Sequence, residues 1–173
     1  MPVIPAVQPA RDHVRGAVDG RVTLVEYGDF QCPYCGDAYP VVRSLLESLH
    51  WLRFVFRHMP LPDLHPRAPA AAEAAEAAAA QGRFWDMHDR LFEHQHALAD
   101  EALREHAAAL DLDVERFDRD LREGVHHERI EEDLRSGEHS GIPSTPRFFV
   151  NGAIHLGSAD ERELRRVIEA EYG

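Results

Sequence analysis

The chain has 173 residues, of which 44% are hydrophobic, enough for one domain or one domain with a sizeable insertion. Its net charge of −12 repels nucleic acid phosphates, so we expect no nucleic-acid partner. No run approaches the roughly 18 apolar residues that a membrane span needs, and the N-terminus, MPVIPAVQPARD, lacks the basic and apolar regions of a signal peptide. We therefore expect a cytoplasmic protein with no membrane span, or a periplasmic one if a signal peptide has been removed.

A strand, a helix and a second strand follow a Pro-rich stretch, residues 1–12, that we expect to be a loose arm. RVTLVEY (Arg21–Tyr27) and LRFVFRH (Leu52–His58) are rich in β-branched and aromatic residues, as strands are. Between them, from Cys32 onward, apolar residues recur at helical spacing. This order predicts two parallel strands joined by a crossover helix, as in an α/β fold.

The middle of the chain, residues 66–136, carries helical signals only. It begins with an Ala-rich stretch, and the aromatic run FWDMHDRLFEHQHAL then predicts a helix packed on the core. The neighbouring His126 and His127 are expected on a solvated helix face rather than as a ligand pair. The predicted helices cover residues 68–80, a stripe from Phe84 to Leu98, and residues 103–110, 114–121 and 125–135.

Strand signals return near the C-terminus. Asn151-Gly152 separates two apolar runs, Arg147–Val150 and Ala153–Leu156, and this is the strongest short signal for a β-hairpin. An amphipathic helix, ERELRRVIEAEY, closes the chain.

The motif CPYC holds the only two cysteines of the chain. A Cys-x-x-Cys pair at the start of a helix, in a βαβ pattern, indicates redox chemistry. With Cys32 at the N-cap and Pro33 first in the helix, Cys35 lies one turn on, and the helix dipole favours a Cys32 thiolate with a pKa of roughly 3.5–7.5. We expect Cys32 to attack a disulfide and Cys35 to resolve the mixed disulfide. The alternative, half of a zinc site, needs two further ligands and finds no second cysteine pair, so we expect no metal.

Two further residues are ambiguous from pattern alone. Glu26 is a carboxylate in an apolar strand, six residues before Cys32. It lies either beneath the dithiol, where it exchanges the proton of Cys35, or at a strand end, partly wet or paired with an arginine. Pro146 precedes a strand, and it is either a simple strand starter or a cis proline, which is rare by default.

Four segments together resemble one family, the DsbA-like thiol–disulfide oxidoreductases of the thioredoxin-fold superfamily. They are VTLVEYGDFQCPYC, FRHMPL with a following HP, the Ala-rich helix ending in QGRFWDMHDRLFEHQ, and SGIPSTPRFFVNG. The resemblance runs in order from about Asp12 to the C-terminus. It implies a thioredoxin-like α/β fold, with residues 12–65 and 137–173 as the two parts of the core and residues 66–136 as an all-helical insertion between the βαβ and ββα halves.

The resemblance also implies residue roles. Cys32 would be the nucleophile, Cys35 the resolving thiol and Glu26 the buried acid. Thr145-Pro146 would be a cis-proline loop facing the dithiol, and with Pro33 and Tyr34 would contact substrate.

The reaction implied is oxidation, reduction or isomerisation of disulfides in proteins or peptides, with the Cys32–Cys35 disulfide in place of any cofactor. A thioredoxin-like protein or the glutathione system would be the redox partner. The alternatives are a glutathione-dependent isomerase or transferase of the DsbA-like branch and a redox-inactive binding domain. Pro33-Tyr34 resembles glutaredoxins, so the direction of electron flow stays open.

Overall fold

The computed structural model describes residues 4–173, and every structural statement below concerns that part of the chain. Five strands and seven helices follow one another in the order that the sequence predicts, with one additional strand at the start. The elements are β1 (His13–Gly16), β2 (Val22–Gly28), α1 (Pro33–Ser48), β3 (Leu52–His58), α2 (Ala68–Ala79), α3 (Phe84–Glu93), α4 (Asp100–Ala109), α5 (Val114–Glu123), α6 (His127–His139), β4 (Arg147–Val150), β5 (Ala153–Ile154) and α7 (Glu161–Tyr172).

The strands form one sheet in the order β1-β3-β2-β4-β5. Only β2 and β3 are parallel, as the crossover by α1 predicts, and the other neighbours are antiparallel. All seven residues of β2 are buried because this strand is central and both faces of the sheet are covered. The loop that leads from β2 to the start of α1 therefore begins at the middle of the sheet.

The two faces of the sheet contribute to different apolar clusters. Leu24, Phe54 and Phe56 pack with α1, α2, α3 and α7, whereas Val25 and Val55 point to a smaller cluster on the opposite face. Because side chains alternate along a strand, Glu26 shares the face of Leu24 and points towards α1. The register of β2 thus places a carboxyl group beneath the helix that carries the cysteines.

The helical middle of the chain packs as the aromatic run predicts. Phe84, Met87, Leu91 and Phe92 are buried in the larger cluster, which confirms their role in the core. The expectation for the histidine pair is half correct. The His127 side chain is 70% exposed, but that of His126 is mostly buried beside Asp120.

The prediction of a loose arm is wrong for residues 4–12, and residues 1–3 lie outside the described part. Ile4 and Asp12 are buried. The Arg57 guanidinium donates to Asp12 Oδ1 at 2.9 Å, to Asp12 Oδ2 at 3.0 Å and to the carbonyl of Pro5 at 3.0 Å. This Pro-rich segment is therefore held by ionic and backbone contacts and by the packing of Ile4 and Val7 in the smaller apolar cluster. It leads into β1, which its sequence does not signal.

Several element ends differ from the predicted ones. β5 stops at Ile154, and Leu156, predicted in that strand, is 80% exposed. The hairpin itself is confirmed, with positive φ angles at Asn151 and Gly152. α6 runs to His139, so the predicted boundary between residues 136 and 137 falls inside a helix. The division into core and insertion stays a prediction.

Candidate active site

Cys32 is the N-cap residue of α1, with an extended backbone (φ −65°, ψ 122°), and Pro33 is the first helical residue. A proline is favoured there because the first N–H of a helix has no helical acceptor. Both thiols are free; Cys32 is 2% exposed and Cys35 is fully buried. The cysteines thus hold the N-terminal positions that the motif predicts, with Cys35 one turn deeper.

The two cysteines have opposite electrostatics. A hydrogen bond from the Cys35 thiol is the largest effect on Cys32. It overcomes burial and, with the backbone N–H groups of Cys35 and Tyr34, lowers the Cys32 pKa to about 5. Burial, and then the hydrogen bond to Cys32, raise the pKa of Cys35 far above its usual range. At neutral pH Cys32 is therefore a thiolate, and Cys35 is a thiol that donates to it.

Glu26 lies beneath this pair and is 2% exposed. Its Oε1 has no hydrogen-bond partner within residues 4–173, which excludes the alternative of a wet or arginine-paired strand end. Burial, followed by the negative charge of Cys32, raises the pKa of Glu26 to about 8. Gly28 makes room for the carboxyl group, since a Cβ there would lie 3.0 Å from Glu26 Oε1 and 2.5 Å from a ring carbon of Phe56.

The loop before β4 faces the dithiol. The Thr145-Pro146 peptide bond is cis, as the resemblance implies, and Thr145 O lies 3.5 Å from Cys32 Sγ. Beside this contact is an open groove of about 480 Å³, lined by Thr145, Pro146 and Tyr34 together with residues of α1 and the start of α7. Tyr34 is 73% exposed. Pro33 is also exposed but is not among the lining residues.

Two residues that support the site were missed in the sequence. The buried Asp29 accepts hydrogen bonds through Oδ1 from the N–H groups of Gln31 at 2.8 Å and Cys32 at 3.1 Å. Gln95, in the turn after α3, donates through Nε2 to the carbonyls of Phe30 and Cys32, both at 2.9 Å. An Asp that accepts from the N–H two residues on forms an Asx-turn, a known turn signal, so Asp29 was detectable, whereas nothing local indicates Gln95.

A second polar cluster, also missed, lies between β1, β3 and α2. His13 Nε2 and His58 Nε2 lie 2.6 Å and 2.7 Å from the same atom, Glu76 Oε1. Two ligands of a tetrahedral zinc, each at about 2.0–2.1 Å, are separated by about 3.3 Å. The shorter distances are those of hydrogen bonds. Burial opposes the charge of Glu76, but the bonds from the two histidines hold its pKa well below the usual range.

A family model described as thioredoxin matches residues 9–170. The chain belongs to the thioredoxin family. Among solved structures, a thioredoxin-like oxidoreductase from Silicibacter pomeroyi is 28% identical to this family member, covers 94% of it over 92% of its own chain, and has a TM-score of 0.84. Oxidised BdbD from Bacillus subtilis has a TM-score of 0.85 at 24% identity, with 98% of this chain and 97% of that chain covered.

The thiol–disulfide exchange protein α-DsbA2 from Wolbachia pipientis also has this fold, with a TM-score of 0.78 at 19% identity over 91% of this chain and 85% of that one. These structures confirm the DsbA-like, thioredoxin-type α/β fold that the motifs imply.

Curated relatives of higher sequence identity are named as Na(+)/H(+) antiporters. A segment of the Na(+)/H(+) antiporter NhaA 3 from Salinispora tropica is 52% identical over 166 residues, and one of NhaA 1 from Salinispora arenicola is 49% identical. Each alignment takes in 96% of this thioredoxin-family chain but 26% of the relative, so the chain spans about a quarter of their length. Within residues 4–173, no helix is long and apolar enough to cross a membrane.

Proposed function

We propose that this chain is a protein-disulfide oxidoreductase that works through Cys32 and Cys35. The observation that carries the proposal is the position of Cys32, at the N-terminus of α1 and with its Sγ 3.5 Å from the carbonyl of the residue before a cis proline. A thiolate at a helix N-terminus is a nucleophile, and the open groove beside it gives a disulfide-bearing chain a place to bind.

The reductive direction has two steps. The Cys32 thiolate attacks one sulfur of a substrate disulfide, a Cys32–substrate bond forms, and the other substrate sulfur leaves as a thiolate. Formation of the mixed disulfide removes the Cys32 charge, which is one of the two causes of the raised Glu26 pKa. The Cys35 thiol then gives its proton to the ionised form of Glu26 and attacks Cys32 Sγ. The Cys32–Cys35 bond forms, the substrate leaves as its second thiolate, and the substrate has gained the two electrons that the dithiol has lost. Oxidation of a substrate dithiol is the reverse.

The remaining roles follow from the groove. Tyr34, Thr145 and Pro146 contact the substrate near its disulfide, and Pro33 fixes the start of the helix. No resident cofactor is needed because the dithiol itself carries the electrons. A second thiol system, thioredoxin-like or based on glutathione, resets the pair after each turnover.

The test is reduction of insulin by dithiothreitol, measured by turbidity for the wild type, Cys32→Ser and Cys35→Ser. We expect the wild type to accelerate the reaction and both variants to lose that effect, with Cys35→Ser accumulating a mixed disulfide on Cys32. A wild type no faster than Cys32→Ser would favour the idle binding domain. Glutathione transfer that survives Cys35→Ser would favour the glutathione-dependent alternative.

The antiporter relatives favour a second candidate, a redox module that serves a membrane transporter. Those relatives are named as antiporters, and the matched segment is about a quarter of their length. We infer that the substrate thiols include those of such a transporter. Co-expression of Cys35→Ser with the unmatched part of the Salinispora tropica relative tests this. A disulfide-linked complex supports it, and its absence alongside normal insulin reduction contradicts it.

A further inference from the structure

A small cavity joins the buried carboxyl of Glu26 to a buried histidine that the proposed chemistry leaves unused. The cavity has about 10 Å³ in which the centre of a water molecule can lie. By this measure about 10–15 Å³ accommodates one buried water. Both Glu26 and His88 are in its lining, together with Tyr39, Val42 and Phe92.

Two residues that line this cavity each have a buried polar atom without a partner. Glu26 Oε1 and His88 Nε2 are the atoms concerned, and neither has a hydrogen bond within residues 4–173. His88 is 3% exposed, and aromatic rings surround it; those of Phe56 and Trp85 have centroids 4.9 Å from its own. A buried polar atom without a partner is costly, and a shared water would satisfy both.

The protonation states make the two atoms complementary. His88 Nδ1 lies 2.9 Å from Asp89 Oδ1, and a carboxylate only accepts, so Nδ1 carries the proton and Nε2 is a bare acceptor. Burial lowers the pKa of His88 to about 4, against the effect of Asp89, so the ring is neutral at pH 7. Glu26, with its pKa of about 8, is a donor at that pH. A water between them accepts from Glu26 and donates to His88.

The cavity lies close to the surface of the protein. A groove on the surface of the protein is lined by Arg15, Gly16, Arg43, Leu46, Glu47 and Asp89, and three of these residues, Arg15, Arg43 and Leu46, line the cavity as well. The Arg15 guanidinium holds Asp89 by two hydrogen bonds of 2.8 Å and 2.6 Å, and this fixes the carboxylate that orients His88. The wall between cavity and groove therefore consists of side chains on the surface.

We propose that His88 positions one water against Glu26, and that this water is the exit through which the proton taken from Cys35 leaves Glu26. This inference rests on the thiol–disulfide chemistry proposed above. After Cys35 has attacked Cys32, the protonated Glu26 gives its proton to the cavity water, which passes one of its own protons to water in the groove. Glu26 is then a carboxylate again, ready for the next turnover. His88 is a positioning residue and is not itself protonated.

Charged groups from every neighbouring element act on this pair, and the test has to hold them constant. They are Cys32, Cys35, Tyr39 and Arg43 of α1 and its N-cap, Arg15 of β1, His58 of β3 and Asp89 of α3. Substitutions at His88 and at the apolar Val42 leave all of these in place.

The decisive measurement is the titration of Glu26 by carbon NMR in the reduced protein, which needs no substrate. His88→Phe keeps the ring and loses the acceptor, so Glu26 loses its contact with water. When Glu26 is ionised, the same water donates to the carboxylate, and a hydrogen bond to a buried charge is stronger than one to a neutral carboxyl group. We therefore expect the Glu26 midpoint to rise by about one unit when the water is lost, which lowers the ionised fraction about tenfold below the midpoint. Resolution of a preformed Cys32–peptide disulfide, followed against pH, should slow by about the same factor. His88→Gln, which restores an acceptor, should return both values towards the wild type.

Val42→Ile and His106→Phe complete the experiment. Val42→Ile adds a methyl group at the cavity with His88 intact, and should shift Glu26 as His88→Phe does. His106 is another buried histidine, away from the cavity, and its replacement should leave Glu26 unchanged. If the Glu26 midpoint in His88→Phe equals that of the wild type, the inference is overturned. If His88→Phe does not fold, an unchanged Glu26 midpoint in Val42→Ile overturns the inference instead. A wild type that forms no mixed disulfide overturns the proposed function instead, because the Glu26 titration is read separately.

Discussion

Cys32 and Cys35 are three residues apart, yet their environments favour opposite protonation states. Cys32 is at the helix terminus, where N–H groups are free to donate, and it also accepts from the Cys35 thiol. Cys35 is one turn inside, where burial and then the hydrogen bond to Cys32 raise its pKa, against one backbone hydrogen bond from Asp29. The attacking and the resolving thiol therefore differ in pKa because they lie at different positions along one turn of the helix.

The first prediction concerns the reactivity of Cys32. Iodoacetamide labelling of the reduced protein, followed against pH, should have its midpoint near 5. Cys35→Ala removes the largest stabilising contact of the thiolate, so the midpoint should move upwards in that variant. A wild-type midpoint at or above about 8.5, the value of a free cysteine, would contradict the electrostatic account.

The second prediction concerns the cost of burying Glu26. Its pKa is 4.5 in the unfolded chain and about 8 in the fold. Between these values the unfolded state has lost a proton that the native state keeps, so stability falls as pH rises. Glu26→Gln should therefore be more stable than the wild type at pH 8.5, by on the order of 4 kcal/mol, and nearly equal at pH 4.5.

Urea unfolding of the reduced proteins at both pH values measures this difference. Glu47→Gln, an exposed change on α1, serves as the matched control and should leave stability nearly unchanged at either pH. A gain from Glu26→Gln that is the same at both pH values would mean that ionisation of Glu26 is not the cause.

At the scale of elements, the turn after α3 fixes the loop that presents the dithiol. Gln95 donates to two carbonyls of that loop, and Gly36 of α1 lies so close that a Cβ there would sit 2.2 Å from Gln95 Oε1. The side-chain amide of Gln95 thus connects the helical middle of the chain to the N-terminus of α1.

The third prediction tests this contact. Gln95→Ala should cost about 1–2 kcal/mol of stability through two lost hydrogen bonds. It should also raise the labelling midpoint of Cys32, because the loop that directs N–H groups at the thiolate is released. Gln81→Ala is the control: Gln81 also makes two backbone hydrogen bonds, both to Asp113 and away from the dithiol. The two variants could lose similar stability while the Cys32 labelling midpoint in Gln95→Ala stays unchanged. That result would mean that Gln95 has a structural role only.

At the scale of the whole molecule, the N-terminal segment is fastened to the sheet by a buried ion pair. The side chains of Arg57 and Asp12 are 1% and 0% exposed, and Arg57 also donates to Tyr27 Oη at 3.1 Å. Removing one member of a buried pair leaves the other charge without compensation, which costs about 3–5 kcal/mol.

The fourth prediction follows from that pair. Asp12→Ala should lower the urea midpoint strongly, and Asp12→Ala combined with Arg57→Met should be less destabilised than the single variant, because no unpaired charge remains. The ion pair would be dispensable if Asp12→Ala changed stability by less than about 1 kcal/mol, as surface substitutions do.

The fold was more predictable from the sequence than the contacts that support the site. The βαβ unit, the helical middle and the Asn151-Gly152 hairpin have local periodicity or turn chemistry, and all three were predictable. β1 and the contact of Gln95 depend on partners 37 or more residues away, which no local pattern encodes. The face of Glu26 followed from strand alternation, but its lack of a partner and the cavity shared with His88 arise only when the strands and α3 are packed.

The measurement that tests the central claim most directly is a redox titration of the Cys32–Cys35 couple against glutathione. A stabilised thiolate favours the reduced form and makes the disulfide oxidising: a cysteine pKa of about 7 accompanies about −270 mV in thioredoxin, and about 3.5 accompanies about −120 mV in DsbA. With Cys32 at about 5, we predict a potential of roughly −150 to −220 mV. A potential at or below about −270 mV would contradict the account, since the Cys32 thiolate would then not be stabilised as the structure requires.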